Sequence, residues 1–132
     1  MNQQGKTSTF SVAANYDPSI VSQLCRHPVS EVYGKLPADV VGGGRPSYLG
    51  TDQSFRQLED YVGTLRDAGI RFNYLFNSAC LGNREWSRRW QRRFDRLSDR
   101  LLKMGIDTFT VSTPFLLEVM RTRHPELRLK VG

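Results

Sequence analysis

Hydrophobic and polar positions alternate between two rhythms along this chain. Short runs of β-branched and aromatic residues are separated by stretches in which apolar residues recur every three or four positions. The short runs predict five strands, at about residues 10–15, 29–33, 70–76, 107–112 and 127–131. Four helical segments lie between them. This order is typical of an α/β protein whose parallel strands are joined by right-handed crossovers.

Local signals at the ends of the helices agree with this division. Asp17-Pro18 and Thr113-Pro114 each place a capping side chain before a proline in the first helical turn. Gly69 and Gly105 stand where a helix is expected to end in a left-handed residue. The fourth helix is predicted at about residues 114–123.

The third helix is predicted to be the longest, at about residues 84–104. Its apolar residues recur at spacings of four, four, three and four, which predicts one buried stripe. That stripe consists of Trp86, Trp90, Phe94, Leu97 and Leu101.

Two architectures are compatible with this pattern. The first is a parallel (β/α) barrel of the TIM type, of which the chain holds the first four to five β/α units. The alternative is a five-stranded doubly wound parallel sheet. Residues 1–9 are polar and are expected to form a disordered tail, so residues 10–132 form the partial barrel domain.

The composition indicates the cellular compartment and the classes of partner, but it does not identify a reaction. The net charge of +6 is compatible with anionic metabolites, nucleic acid or an acidic protein as partners. Cys25 and Cys80 are too few for a disulfide framework or a four-thiolate cluster, so we expect a reducing, cytoplasmic setting and no cofactor. No histidine, aspartate and glutamate spacing indicates a metal site. No apolar run is long enough for a membrane span.

Most of the positive charge lies on the third helix, which has eight basic and three acidic residues. Such a helix is usually the solvated outer face of a covering helix, and this is the interpretation we favour. The alternative is a surface that binds anions or nucleic acid without catalysis.

The candidate site lies where the strands end, because ligands of parallel α/β folds gather at the carboxyl ends of the strands. We predict an anion-accepting pocket between the second and third βα loops, with Arg45 as the main charge partner. The candidate catalytic residues are Cys80, Asn77 and Lys35, although no histidine neighbours Cys80 in sequence. The predicted ligand-binding residues are Asn15, Tyr33, Lys35, Arg45, Asn77, Asn83 and Ser112.

Three segments resemble the N-terminal half of the barrel domain of the peptidase U32 family, the collagenase-like peptidases. They are Ser30–Pro37, Gly42–Pro46 and Asn77–Glu85. The resemblance implies a (β/α)8-type barrel and a nominal peptidase, that is hydrolase, activity. Other members imply an iron–sulfur system for oxygen-independent hydroxylation or RNA modification, but the cluster cysteines lie in the later half of the family's sequence.

The resemblance also implies that this chain is incomplete as a catalyst by itself. We therefore expect a second copy or another subunit to complete the barrel. The expected ligand is an anionic small molecule or a peptide carboxylate. Nucleic acid is compatible with the charge but is not favoured, and no membrane partner is expected.

Overall fold

A computed structural model describes residues 8–43 and 55–132 of the chain. Its five strands are β1 Phe10–Ala13, β2 Val29–Gly34, β3 Arg71–Phe76, β4 Thr108–Val111 and β5 Arg128–Val131. Its four α-helices are α1 Val21–Leu24, α2 Phe55–Asp67, α3 Arg88–Lys103 and α4 Pro114–Arg123. Short 3-10 turns, Pro18–Ile20 and Arg84–Trp86, precede α1 and α3.

The strands form one parallel sheet in the order β1-β2-β3-β4-β5. A doubly wound sheet reverses its strand order at a switch point, and this sheet does not. The doubly wound alternative is therefore wrong. Right-handed crossovers that all step in the same direction place their helices on the same face of the sheet, as in one side of a β/α barrel.

The hydrophobic core lies between the sheet and its helices, on what we call the outer face. Phe76 is at its centre, fully buried, with its ring centroid 5.4 Å from that of Phe109, 5.2 Å from Phe94 and 5.1 Å from Tyr74. These aromatic contacts join β3 and β4 to α3. Burial of such large side chains supplies most of the driving force for folding.

The third helix begins later than its periodicity predicts. Ser87 has an extended backbone, and its Oγ accepts a hydrogen bond of 3.2 Å from the backbone N–H of Trp90, so it caps a helix that starts at Arg88. Trp86 consequently lies in the separate 3-10 turn and is 67% exposed, so its predicted place in the buried stripe is wrong. The other four stripe residues, Trp90, Phe94, Leu97 and Leu101, are buried as predicted.

The fourth helix has the predicted bounds, and the strands lie within or close to theirs. Of the predicted tail, only residues 8 and 9 are described, and Thr9 accepts a hydrogen bond of 2.9 Å from the Ser30 hydroxyl. No helix in the two described ranges is both long and apolar enough to cross a membrane.

Candidate functional site on the inner face of the sheet

The face of the sheet opposite the helices, which we call the inner face, is mostly polar. Successive side chains of a strand point to opposite faces, so every second residue of each strand lies here. One residue from each strand joins a hydrogen-bonded row that we call the polar layer. Its members are Ser11, Glu31, Asn73, Thr110 and Lys130.

Glu31 is the centre of the polar layer. Its Oε1 accepts hydrogen bonds from Ser11 Oγ at 2.8 Å, Asn73 Nδ2 at 3.3 Å and Lys130 Nζ at 2.7 Å. Its Oε2 accepts a second bond from Lys130 Nζ at 2.6 Å. Asn73 continues the row, because its amide nitrogen donates to Thr110 Oγ1 at 2.9 Å and its oxygen accepts from the same hydroxyl at 3.0 Å.

These contacts keep Glu31 ionised. Burial by itself raises the pKa of the Glu31 carboxyl, but the hydrogen bonds from Lys130, Ser11 and Asn73 and the charge of Lys130 outweigh it. The net effect is a pKa below the ordinary value of 4.5. The inner face therefore carries a fixed carboxylate at its centre at neutral pH.

The polar layer runs diagonally across the sheet. Glu31 is in register with Arg71 but bonds Asn73, two residues further along β3. Asn73 is in register with Thr108 but bonds Thr110. Ser11 is in register with Glu31, and Thr110 is in register with Lys130. Over the four steps from β1 to β5 the row therefore advances by four residues, an average of one residue per strand. Eight-stranded barrels of shear eight have the same average advance.

The reach of Lys130 shows that the sheet is curved. β5 is three strands from β2, which in a flat sheet would separate their backbones by about 14 Å. Lys130 nevertheless contacts both carboxylate oxygens of Glu31. The sheet therefore curves toward its inner face, as the wall of a barrel does.

Lys35, a predicted catalytic and ligand-binding residue, lies in the segment after β2 (residues 35–43), which we call the Lys35 loop. Its buried ammonium group pairs with Asp39 Oδ1 at 3.3 Å and donates to the carbonyl of Gly42 at 2.5 Å. The positive charge of Lys35 is thus matched within the loop. A role for Lys35 toward a ligand stays a prediction.

Two tyrosines also hold the Lys35 loop. Tyr74 donates to Asp39 Oδ2 at 2.6 Å, and burial together with the nearby Asp39 charge raises the pKa of Tyr74 above its ordinary value. The Tyr16 hydroxyl donates to the carbonyl of Lys35 and accepts from its N–H, and burial raises the pKa of Tyr16 to about 12. Both phenols therefore stay protonated as donors at neutral pH.

The second and third βα loops contact each other. A Cβ added at Gly43, whose φ is +78°, would lie 2.7 Å from the backbone nitrogen of Ser78, so only a glycine fits there. The neighbouring Asn77 is half-buried, and its Oδ1 has no hydrogen-bond partner within residues 8–43 and 55–132. This oxygen is itself buried, so it offers no contact at the surface of the edge. Arg45, the predicted charge partner, lies outside the described residues.

The remaining predicted residues are spread along the same edge. Cys80 is exposed and its Sγ accepts from the N–H of Gly82 at 3.3 Å. Asn15 Oδ1 accepts from the N–H of Asp17 at 3.1 Å, and Asn83 has a left-handed φ of 59°, so both shape turns. Ser112 is half-buried.

Tyr33 is exposed on the inner face, in register with Asn73. Among the residues that the structure describes, no group of three or more histidine, cysteine, aspartate or glutamate side chains is placed to bind a metal. The catalytic roles proposed for Cys80, Asn77 and Lys35 stay predictions.

Sequence reasoning did not find the polar layer, because it looked for candidates only at the strand ends. The signal was present as alternation. In β3 and β4 a polar residue, Asn73 and Thr110 respectively, stands between two apolar neighbours, whereas in β2 Glu31 stands between Ser30 and Val32. A strand that is apolar on one face and polar on the other predicts an inner face in contact with water or with a polar ligand.

The fold has counterparts among solved structures. The structure of the U32 peptidase Mk0906 superimposes on 99% of this chain with a TM-score of 0.67 and 19% sequence identity. The chain has a U32-like fold. It spans 50% of the length of that peptidase. The CpGH84B structure also matches, over 94% of this chain and 27% of its own length, with a TM-score of 0.61 and 7% identity.

No protein-family model and no curated protein sequence matches the chain. At these identities the likeness to solved structures concerns the fold alone.

Proposed function

We propose that this chain is a half-barrel module of a U32-like peptidase, and that its polar layer is the floor of the substrate chamber. The observation that carries the proposal is the polar inner face of a curved, sequentially ordered parallel sheet. The interior of a β/α barrel is usually packed with valine, isoleucine and leucine. Here the corresponding positions offer hydroxyl, amide, carboxylate and ammonium groups instead.

A peptide is a ligand that suits such a floor. Its backbone presents both N–H donors and carbonyl acceptors, and each group removed from water needs a partner. Lys130, whose side chain is half exposed, supplies an ammonium group that the carbonyl oxygens of a peptide can reach. Likeness to the U32 peptidase Mk0906 supports hydrolysis as the reaction class.

The described residues do not assemble a nucleophile with a base. Cys80 follows β3 at the carboxyl edge of the sheet, whereas His27 and His124 follow helices and therefore lie toward the opposite edge. His124 is instead near Glu126, with Nδ1 3.8 Å from Oε1. The proposal accordingly assigns completion of the catalytic site to a second module that closes the barrel.

Hydrolysis of fluorescently labelled gelatin by size-separated fractions of the chain tests this proposal. Activity is expected in assembled fractions and not in the monomer. Glu31→Gln is expected to reduce the activity because it removes the carboxylate that orders the floor, whereas Glu126→Gln, on the surface, leaves it unchanged. Hydrolysis that is absent from every fraction, or equal in both variants, contradicts the proposal.

A further inference from the structure

A basic groove lies outside the barrel wall, between the Lys35 loop and α3. It has a volume of about 260 Å³ and is lined by three arginines, Arg93, Arg96 and Arg100. Phe55, the first residue of α2, and Asp39 also line it. We call this cavity the arginine groove. It shares one wall, Leu36, Ala38, Asp39 and Val40, with the Lys35 loop and contains no residue of the polar layer.

The three arginines share one face of α3. Their spacing of three and four residues places them one above another along the helix. The helix is fixed against the other wall of the groove, because Trp90 Nε1 donates a hydrogen bond of 3.1 Å to the carbonyl of Val40. The Arg100 guanidinium lies 3.7 Å from the centre of the Phe55 ring, which holds it by a cation–π contact. The helix that carries the three arginines, and the Arg100 side chain, are therefore held in place before a ligand arrives.

The charge of the groove is not neutralised by the described residues. Asp39 is its carboxylate, and both oxygens of Asp39 are already bonded to Lys35, Tyr74 and the backbone N–H groups of residues 41 and 42. On α3, Asp95 pairs with Arg123 of α4. Within residues 8–43 and 55–132, none of the three groove arginines forms an ion pair with a carboxylate.

We infer that the arginine groove binds a phosphate group. Three like charges on one helix face repel one another. An anion bound between them relieves this repulsion and also forms new contacts. Guanidinium groups form paired hydrogen bonds with phosphate oxygens, which suits arginine better than lysine for this task. The phosphate belongs either to a small molecule or to a nucleic-acid backbone, and the recognising chemistry is the same.

Calorimetric titration with inorganic pyrophosphate and with a single-stranded oligouridylate tests the inference. The groove variant is R93Q/R96Q/R100Q. The matched control is R88Q/R89Q/R92Q, which removes the same charge from exposed positions of the same helix. The groove variant is expected to weaken pyrophosphate binding at least tenfold, about 1.4 kcal/mol, and the control less than about threefold. Thermal unfolding followed by circular dichroism confirms that both variants fold.

The two probes separate the sources of the phosphate. Selective loss of pyrophosphate binding in the groove variant, with no oligouridylate binding by the native chain, indicates a small-molecule phosphate. Selective loss of both, with the oligouridylate bound more tightly, indicates a nucleic-acid backbone. Absence of pyrophosphate binding, or equal losses in the groove and control variants, overturns the inference, because a general basic surface responds only to total charge.

Discussion

A carboxylate in the middle of a strand is costly unless its oxygens have partners. Transfer of an ionised group out of water costs several kcal/mol, and Glu31 is 8% exposed. Ser11, Asn73 and Lys130 together supply four donor contacts, so the site of the charge and the groups that stabilise it come from different strands. The ionised state of Glu31 therefore reports whether β1, β2, β3 and β5 are correctly assembled.

We expect Glu31→Gln to lower the free energy of unfolding in a pH-dependent way. The pKa of Glu31 is lower in the folded chain than its ordinary value of 4.5. The stabilisation it brings is thus fully present above that value and is lost as the pH falls through the folded pKa. Urea unfolding at pH values on both sides of 4.5 should show the difference between native chain and variant shrinking in acid. Glu59→Gln, on an exposed position of α2, should show no such trend.

Lys130→Met should destabilise the chain by roughly 1.5–3 kcal/mol, the range for a lost hydrogen bond to a charged group. The lower part of that range is expected because the Lys130 side chain is half exposed. The loss should be much smaller when Glu31→Gln is already present, and a double-mutant cycle measures this coupling. Additive effects would mean that the two side chains do not interact.

At the scale of elements, α3 shows both the reach and the limit of sequence reasoning. The apolar spacing identified its buried face correctly from Trp90 to Leu101. The spacing predicted a start one turn too early, because apolar periodicity does not detect an N-cap. The Ser87 hydroxyl caps the helix, which therefore starts at Arg88. The bounds of α4 were predictable because the Thr113-Pro114 signal at its start and the His124-Pro125 signal at its end agree.

The polar layer could not be predicted in the same way. Alternation identifies which residues share a face, but the partners of Glu31 depend on the strand order and the diagonal advance across the sheet. Lys130 is 99 positions away in sequence. The hydrogen bonds that candidate residues form within loops, such as those of Lys35, were not visible in the sequence either.

The two tryptophans provide a test of the boundary of α3. Trp90→Ala empties a buried site and should cost roughly 3–5 kcal/mol. Trp86→Ala removes a largely exposed ring whose described aromatic contact is with Phe115 at 5.2 Å, and should cost less than about 1 kcal/mol. Chemical unfolding of the two variants measures both values. Similar losses of unfolding free energy in the two variants would mean that Trp86 is buried in the core and that α3 starts at residue 84.

At the scale of the whole molecule, the described sheet is open at both sides. β1 and β5 each pair with one neighbour only, and Phe10 and Val131 on these strands are 59% and 74% exposed. The outward-facing edge of such a strand presents unpaired N–H and carbonyl groups, which favour pairing with another strand. These two open edges are the feature on which our proposal of a second module rests.

We predict that the isolated chain self-associates through these edges. Sedimentation velocity at micromolar concentration should show a species heavier than 15.1 kDa. Val131→Lys should shift the equilibrium toward monomer, because a lysine on an edge strand opposes pairing. Gln23→Lys, which adds the same charge on exposed α1, should leave it unchanged. A stable monomer of the native chain at this concentration would exclude edge pairing.

The link between Glu31 and Lys130 also sets an order of events during synthesis. A ribosome releases β2 long before β5, so the Glu31 carboxylate emerges 99 residues ahead of its ammonium partner. Until then the nascent chain can bury the outer face of β1 to β4 but not complete the inner row. Formation of this contact requires closure of nearly the whole chain, which slows folding. The Glu31–Lys130 contact is therefore expected to form after the pairing of neighbouring strands, and Lys130→Met should raise the unfolding rate more than it lowers the folding rate.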